Sequence, residues 1–140
     1  RLGLGAISDR LGRFQTMFVA VAVTAVIHLF LFANATSPLV FIVEACLLGI
    51  CFGGIMAIMP SVCADAYGPG NAGQNYGFMF IGYTMASFIG PVISANALAT
   101  TGSYSSAFPI LGMLCVVGLV LLALAWMFFK KMRAKEEVGA

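Results

Sequence analysis

The chain has 140 residues, of which 61% are hydrophobic and only 9% charged, and a mean hydropathy of +1.03, whereas soluble domains carry about a quarter charged residues. A water-soluble fold of this size exposes much of its surface, and there are too few charges here to cover it, so a soluble domain is excluded and a lipid bilayer is the expected partner. The net charge of +2 is a matter of two basic ends, residues 1–13 and 130–137, offset by Glu44 and Asp65, which alone are charged between them; no polyanion site is evident and no nucleic-acid partner is expected.

The chain opens on Arg1 with no charged leader and cleavable apolar core, so a longer protein is expected upstream. Residues 1–13 read as a cytoplasmic loop segment containing Gly5-Ala6-Ile7-Ser8-Asp9-Arg10-Leu11-Gly12-Arg13. A carboxylate at a helix end can cap free amides, Gly12 allows a tight turn, and Arg10 and Arg13 supply forked donors.

A spanning helix needs about 20 mostly apolar residues, and four segments meet this: 14–32, 39–64, 76–99 and 107–129. The fold class is therefore all-α integral membrane, with four antiparallel helices joined by short connections. The connections at 33–38 and 100–106 carry no charge, and the one at 65–75 is rich in Gly and amides. Asn34-Ala35-Thr36 matches a glycosylation acceptor but lies too close to lipid for modification to be expected. All seven Lys and Arg precede the first span or follow the fourth, which places both ends in the cytoplasm and the spans in the cell (inner or plasma) membrane. Trp126, Phe128 and Phe129 precede Lys130 and Lys131, an aromatic belt followed by ammonium groups in water. Residues 130–140 read as a solvated cytoplasmic tail.

Within the spans only His28 and Glu44 are ionisable, and a carboxylate at the bilayer centre costs on the order of 3 kcal/mol. Each sits about five residues, or about 8 Å, from the outer interface. They are candidates for a proton or substrate role and are expected to be able to meet; the alternative is that His28 only points to the interface. Tyr83 and Ser87, one turn apart near the middle of the third span, lead a set of hydroxyl and amide donors suited to a small carboxylate. Ridges of small residues, with Gly49 and Gly53 in the second span and Gly82 and Gly90 in the third, predict close helix packing. Pro60 and Pro91 each remove a backbone donor from their helix. The four cysteines have no metal-ligand spacing and read as small apolar filler. No metal, no cofactor and no enzyme activity is expected, because no acid/base or ligand cluster shares one depth.

The motif at Gly5, Asp9, Arg10, Gly12 and Arg13 resembles the loop signature of the major facilitator superfamily, departing from it at Phe14 and Gln15, where that pattern often continues with a basic residue. The resemblance implies a twelve-helix secondary transporter, with these four spans as helices nine to twelve. It also implies that the motif latches cytoplasmic helix ends during alternating access, and that the missing N-terminal helices complete the transport path. Gly82, Gly90 and Pro91 resemble part of the glycine and proline signature of antiporters in that superfamily. Pro60-Ser61-Val62-Cys63-Ala64-Asp65-Ala66-Tyr67-Gly68, followed by Asn75-Tyr76-Gly77, is similar to the helix ten to eleven connection of its oxalate and formate antiporter group, with Asp65 as a further latch residue. That group implies a small organic anion such as a monocarboxylate. The group's helix-eleven Lys has no counterpart between Tyr76 and Ala99: the substrate differs, its charge is met by other helices, or hydroxyl and amide donors suffice. Oxalate itself is not predicted. The competing reading is a four-span structural or channel-forming membrane protein.

Overall fold

The computed structural model describes residues 2–32 and 37–138; the Asn34-Ala35-Thr36 triplet lies outside them. The described residues form α1 (Leu2–Leu11), α2 (Arg13–Val26) continued by a π-helical turn (Ile27–Leu31), α3 (Pro38–Tyr67), α4 (Ala72–Thr101), a short 3-10 turn (Tyr104–Ser106) and α5 (Ala107–Val138). Among the described residues four stretches are long and apolar enough to cross a membrane: Arg13–Leu31, Pro38–Tyr67, Ala72–Thr101 and Tyr104–Lys131.

Helix ends follow local chemistry. Ser37 accepts from Val40 N at 3.4 Å and Pro38 occupies the first turn of α3, where its missing N–H costs nothing. At the other end of α3, Gly68 takes φ 80 ahead of Pro69, and α4 ends at Gly102, whose left-handed backbone returns its N–H to Leu98 O at 2.9 Å. The 65–75 connection shortens to residues 68–71, because Ala64, Asp65 and Ala66 continue the helix and Ala72 to Asn75 start the next. The last helix likewise runs on through Val138, past the apolar span, in a stretch of good helix formers.

The amino-terminal motif is not a loop. Helix runs up to Leu11 and resumes at Arg13, so the whole reversal is taken by Gly12 at φ 100 and ψ 135. A side chain at that backbone conformation costs about 1–3 kcal/mol. Gly12→Ala is expected to lower the unfolding free energy by about that amount, read as a shift in the thermal melting of the detergent-solubilised protein.

Helix α2 lies at the centre, packed against α3 on one side and α5 on another, and α1 rests on α2 and α3. Met17, Ile58 and Val62 form the buried cluster, closed by Phe14, Met59 and Leu122. At one end Phe14 meets Phe129 with ring centroids 5.5 Å apart, and at the opposite end Phe32 stacks on Phe108 at 4.7 Å and meets Phe41 at 5.2 Å. The basic stretches before α2 and along α5 therefore share one end of the bundle. Within this chain α4 touches α3 and α5 but buries almost nothing except Ala97.

The glycine ridges are not where the helices of this chain approach most closely. A Cβ at Gly49, Gly82 or Gly90 would meet nothing within 4 Å, and the close contacts fall at Gly54, against Leu4 of α1, and at Gly112, against Leu29. Gly53 is half-buried. The reason is placement: Gly82 and Gly90 stand on the peripheral α4, while Gly49 sits on a side of α3 left open within the chain. Pro60 and Pro91 both lie inside uninterrupted helices.

Candidate functional site: a charged latch at the basic end

Arg13 is the hub of the basic end. It stands in the first turn of α2, where the helix dipole disfavours a cation, and three acceptors offset this. Its Nη1 lies 2.6 Å from Asp65 Oδ2 and donates to Ser61 O at 3.0 Å, both on the last two turns of α3, and its Nε lies 3.9 Å from Asp9 Oδ1 on α1. One guanidinium thus ties three helix ends together. Asp65 and Arg13 are partly exposed, at 46% and 30% of their side chains, so solvent screens the ion pair to about 1 kcal/mol or less. The donation to a backbone carbonyl adds the directional part.

The rest of the motif supports this geometry. Ser8 is buried, and its hydroxyl donates to Gly5 O at 2.7 Å; Thr16 donates to Gly12 O at 3.0 Å. Arg10 is exposed and makes no ion pair among the described residues. The sequence names Asp9, Arg13 and Asp65 as latch residues, and they come together here. It does not name the Ser61 carbonyl, which no side-chain pattern can signal.

Near the other end, His28 and Glu44 are not joined by an ion pair or hydrogen bond. The π-helical turn explains His28. Ile27 N is shared between Thr24 O and Val23 O, and the His28 Nδ1–H completes the Thr24 carbonyl at 2.9 Å. The imidazole then lies edge-on to Phe32 at 5.7 Å and beside Phe108 at 6.5 Å, facing α5. Glu44 belongs to the face of α3 that carries Cys51, Ile58 and Val62, the face packed on α2. It is 4% exposed, and its Oε2 has no hydrogen-bond partner. A buried polar atom without a partner costs about 1–3 kcal/mol.

Tyr83 and Ser87 lie on the open side of α4. The Tyr83 ring packs on Phe80 at 4.8 Å and reaches Phe52 of α3 at 6.2 Å, while Ser87 donates to Thr84 O at 2.7 Å within its own helix. They share a region but no hydrogen bond. The glycines that seat the helices, Gly54 and Gly112, escape the sequence reading; the Gly53-Gly54 pair was a signal for the first, and Gly112 had none beyond its helix.

The sequence profile described as Major Facilitator Superfamily matches residues 2–139. The chain belongs to the major facilitator superfamily. Among its relatives, the oxalate:formate antiporter of Oxalobacter formigenes is 33% identical over 105 residues, 74% of this chain and 25% of that protein. An uncharacterized MFS-type transporter of Escherichia coli is 30% identical over 88 residues, 62% of this chain and 22% of that protein. A riboflavin transporter of Trypanosoma brucei brucei is 34% identical over 77 residues, 54% of this chain and 14% of that protein. The chain spans a quarter or less of the length of these relatives. No solved structure matches it significantly. Membership in this superfamily agrees with the all-α, four-span architecture of the described residues.

Proposed function

We propose that the chain supplies helices nine to twelve of a secondary transporter that moves a small organic anion, such as a monocarboxylate, by alternating access in the cell membrane, with both ends of the chain cytoplasmic. The observation that carries this is the Arg13 hub. A superfamily motif whose guanidinium bridges α1, α2 and α3 at one end of the bundle is a contact that can form in one state of the transporter and break in the other. The shared end of Phe14 and Phe129 supports the common side for both termini, and similarity to a protein named as an oxalate:formate antiporter supports the anionic substrate. Arg10 and Gly5 complete the motif as neighbours of the hub; Tyr83 and Ser87 are proposed to face the substrate path together with the missing N-terminal helices.

The test is flux of labelled formate, acetate and lactate into liposomes containing the full-length protein, with and without a pH gradient. Uptake of at least one of these that saturates and is exchanged by the unlabelled anion is expected; uptake of none, with a neutral solute carried instead, removes the anion assignment.

Glu44 is proposed as the carboxyl that couples substrate or proton to the cycle, with His28 held in place by Thr24. A carboxyl with a buried, unpartnered oxygen is retained at a cost to stability, so Glu44→Met is expected to melt no lower than the parent and to gain about 1 kcal/mol, while transport falls about tenfold, equivalent to about 1.4 kcal/mol. Unchanged flux in a stabilised variant would assign Glu44 to packing.

A further inference from the structure

Pro91 stands inside α4 and has no N–H to give to the carbonyl four residues earlier, which is Ser87 O. Ser87 lies at the middle of this 30-residue helix, the depth of the bilayer at which no water reaches a lipid-facing backbone. A carbonyl that loses its donor there is tolerated only where another group supplies one. No side-chain hydrogen bond among the described residues reaches Ser87 O. Since α4 buries little against its own chain beyond Ala97, the donor comes from outside these four spans.

The hydroxyls beside that carbonyl are acceptors too. A hydroxyl has one proton to donate and two lone pairs that accept. Thr84 gives its proton to Phe80 O at 3.1 Å, and Ser87 gives its own to Thr84 O at 2.7 Å. Both residues are exposed and stand one turn apart, with Pro91 one turn further along the same face. At mid-membrane this face therefore offers acceptor oxygens, namely Thr84 Oγ1, Ser87 Oγ and Ser87 O, where the residue types alone suggested donors. The Tyr83 phenol, whose ring packs on Phe80, is the donor at this level. Lone pairs repel a carboxylate, and no Lys or Arg occurs between Tyr76 and Ala99 to reverse that. The negative end of a carried anion is thus met elsewhere, and α4 suits a group that donates.

We infer that α4 recognises a hydroxyl on the carried anion. The substrate is a short hydroxymonocarboxylate whose O–H donates to Ser87 O beside Thr84 and whose carboxylate points away from α4, toward the missing helices. Pro91 is then a specificity-determining residue that acts through the carbonyl it releases. The inference rests on the reading of the chain as part of a transporter for a small organic anion, and it adds which end of the anion these spans select.

The experiment is uptake of labelled lactate into liposomes containing the full-length protein, with unlabelled lactate, propionate and pyruvate as competitors, in buffers with and without sodium. The three anions share a carboxylate on a three-carbon chain, and at the second carbon they carry a donor, no oxygen, and an acceptor alone. Lactate is expected to half-inhibit at a concentration about fivefold below that of either of the others, the share of one hydrogen bond. Pro91→Ala returns an N–H to Ser87 O and is expected to bring that ratio within about twofold of unity, while Ser87→Ala, which keeps the carbonyl, lowers it less. Pro60→Ala restores the same kind of donor in α3 and is expected to keep the full ratio. A ratio is read rather than a rate, so a change in the speed of the cycle does not enter. Equal competition by all three anions assigns Ser87 O to a side chain of the missing helices and overturns the inference while anion transport stands; uptake of no anion overturns both. The full ratio in Pro91→Ala, or a sodium requirement that Pro91→Ala abolishes, overturns it as well.

Discussion

Arg13→Gln is expected to cut transport by the full-length protein about tenfold, equivalent to about 1.4 kcal/mol, with insertion into the membrane unaffected. The substitution removes the charge facing Asp65 and Asp9 and, because the Gln amide ends two atoms short of Nη1, the donation to Ser61 O as well, so it tests the hub as a whole. Asp65→Asn removes the partner at 2.6 Å and is expected to give nearly the same loss. Because the two changes break one interaction, their effects do not add: the double variant should be no slower than the worse single variant, and a double-mutant cycle should give a coupling of about 1.4 kcal/mol, within the range for residues in direct contact. Asp9→Asn acts at 3.9 Å from a 70% exposed carboxylate and is expected to have a smaller effect. Full additivity of Arg13→Gln and Asp65→Asn would show that the two side chains work separately and would sink the latch. Salt gives an independent check, since a partly exposed pair weakens as ionic strength rises.

Gly112→Ala is expected to destabilise the bundle by about 1–3 kcal/mol, the usual range for overpacking a well-filled contact. The new Cβ would lie 2.6 Å from Leu29 Cγ and Cδ2 and 3.3 Å from Leu29 N. Rotating the Leu29 side chain can relieve the first two contacts, but the backbone nitrogen moves only if α5 retreats from the π-helical turn. Gly54→Ala meets the Leu4 side chain, including its Cβ at 2.9 Å, which no rotamer can move, so α1 must shift on α3. Since α1 carries Asp9, that variant should also weaken the hub and lower transport together with stability. Gly82→Ala and Gly90→Ala make the control within this chain, because both positions are open. Thermal melting that ranks Gly112→Ala and Gly54→Ala with the controls would mean that the close approaches do not exist in the protein.

Much of the fold was legible because lipid imposes a simple rule on sequence. A backbone without water must satisfy itself, so apolar runs of sufficient length become helices whatever their neighbours do. The four observed spans cover all four predicted ones, apart from Phe32 at the end of the first. Their ends were less legible: Gly12 alone reverses the chain where a loop was expected, and the 65–75 connection shrinks because Asp65 remains helical. Both outcomes depend on what the neighbouring helix offers, since Asp65 stays in register to receive Arg13. The glycine ridges find no close neighbour within this chain for a related reason. Small side chains record where close approach is possible, and within this chain Gly49, Gly82 and Gly90 have no neighbour to approach.

The site divides in the same way. The residue types of the latch could be read in order along the chain, because Asp-Arg-x-Gly-Arg between two apolar runs is a demanding pattern. His28 and Glu44 could be picked out because ionisable groups in lipid are expensive, yet their similar depths said nothing of direction. His28 is tied to Thr24 and lies beside Phe108 of α5, while Glu44 belongs to the face of α3 packed on α2, and no ion pair or hydrogen bond joins the two.

From sequence alone came the solvent, the number of spans, the superfamily motif and the candidate charges, since each depends on residue type and spacing along one strand of chain. Tertiary structure alone decided which of those charges touch and which glycines seat the helices. Those outcomes depend on the rotation and offset of one helix against another, and a hydropathy pattern nearly uniform around each long helix leaves both undetermined.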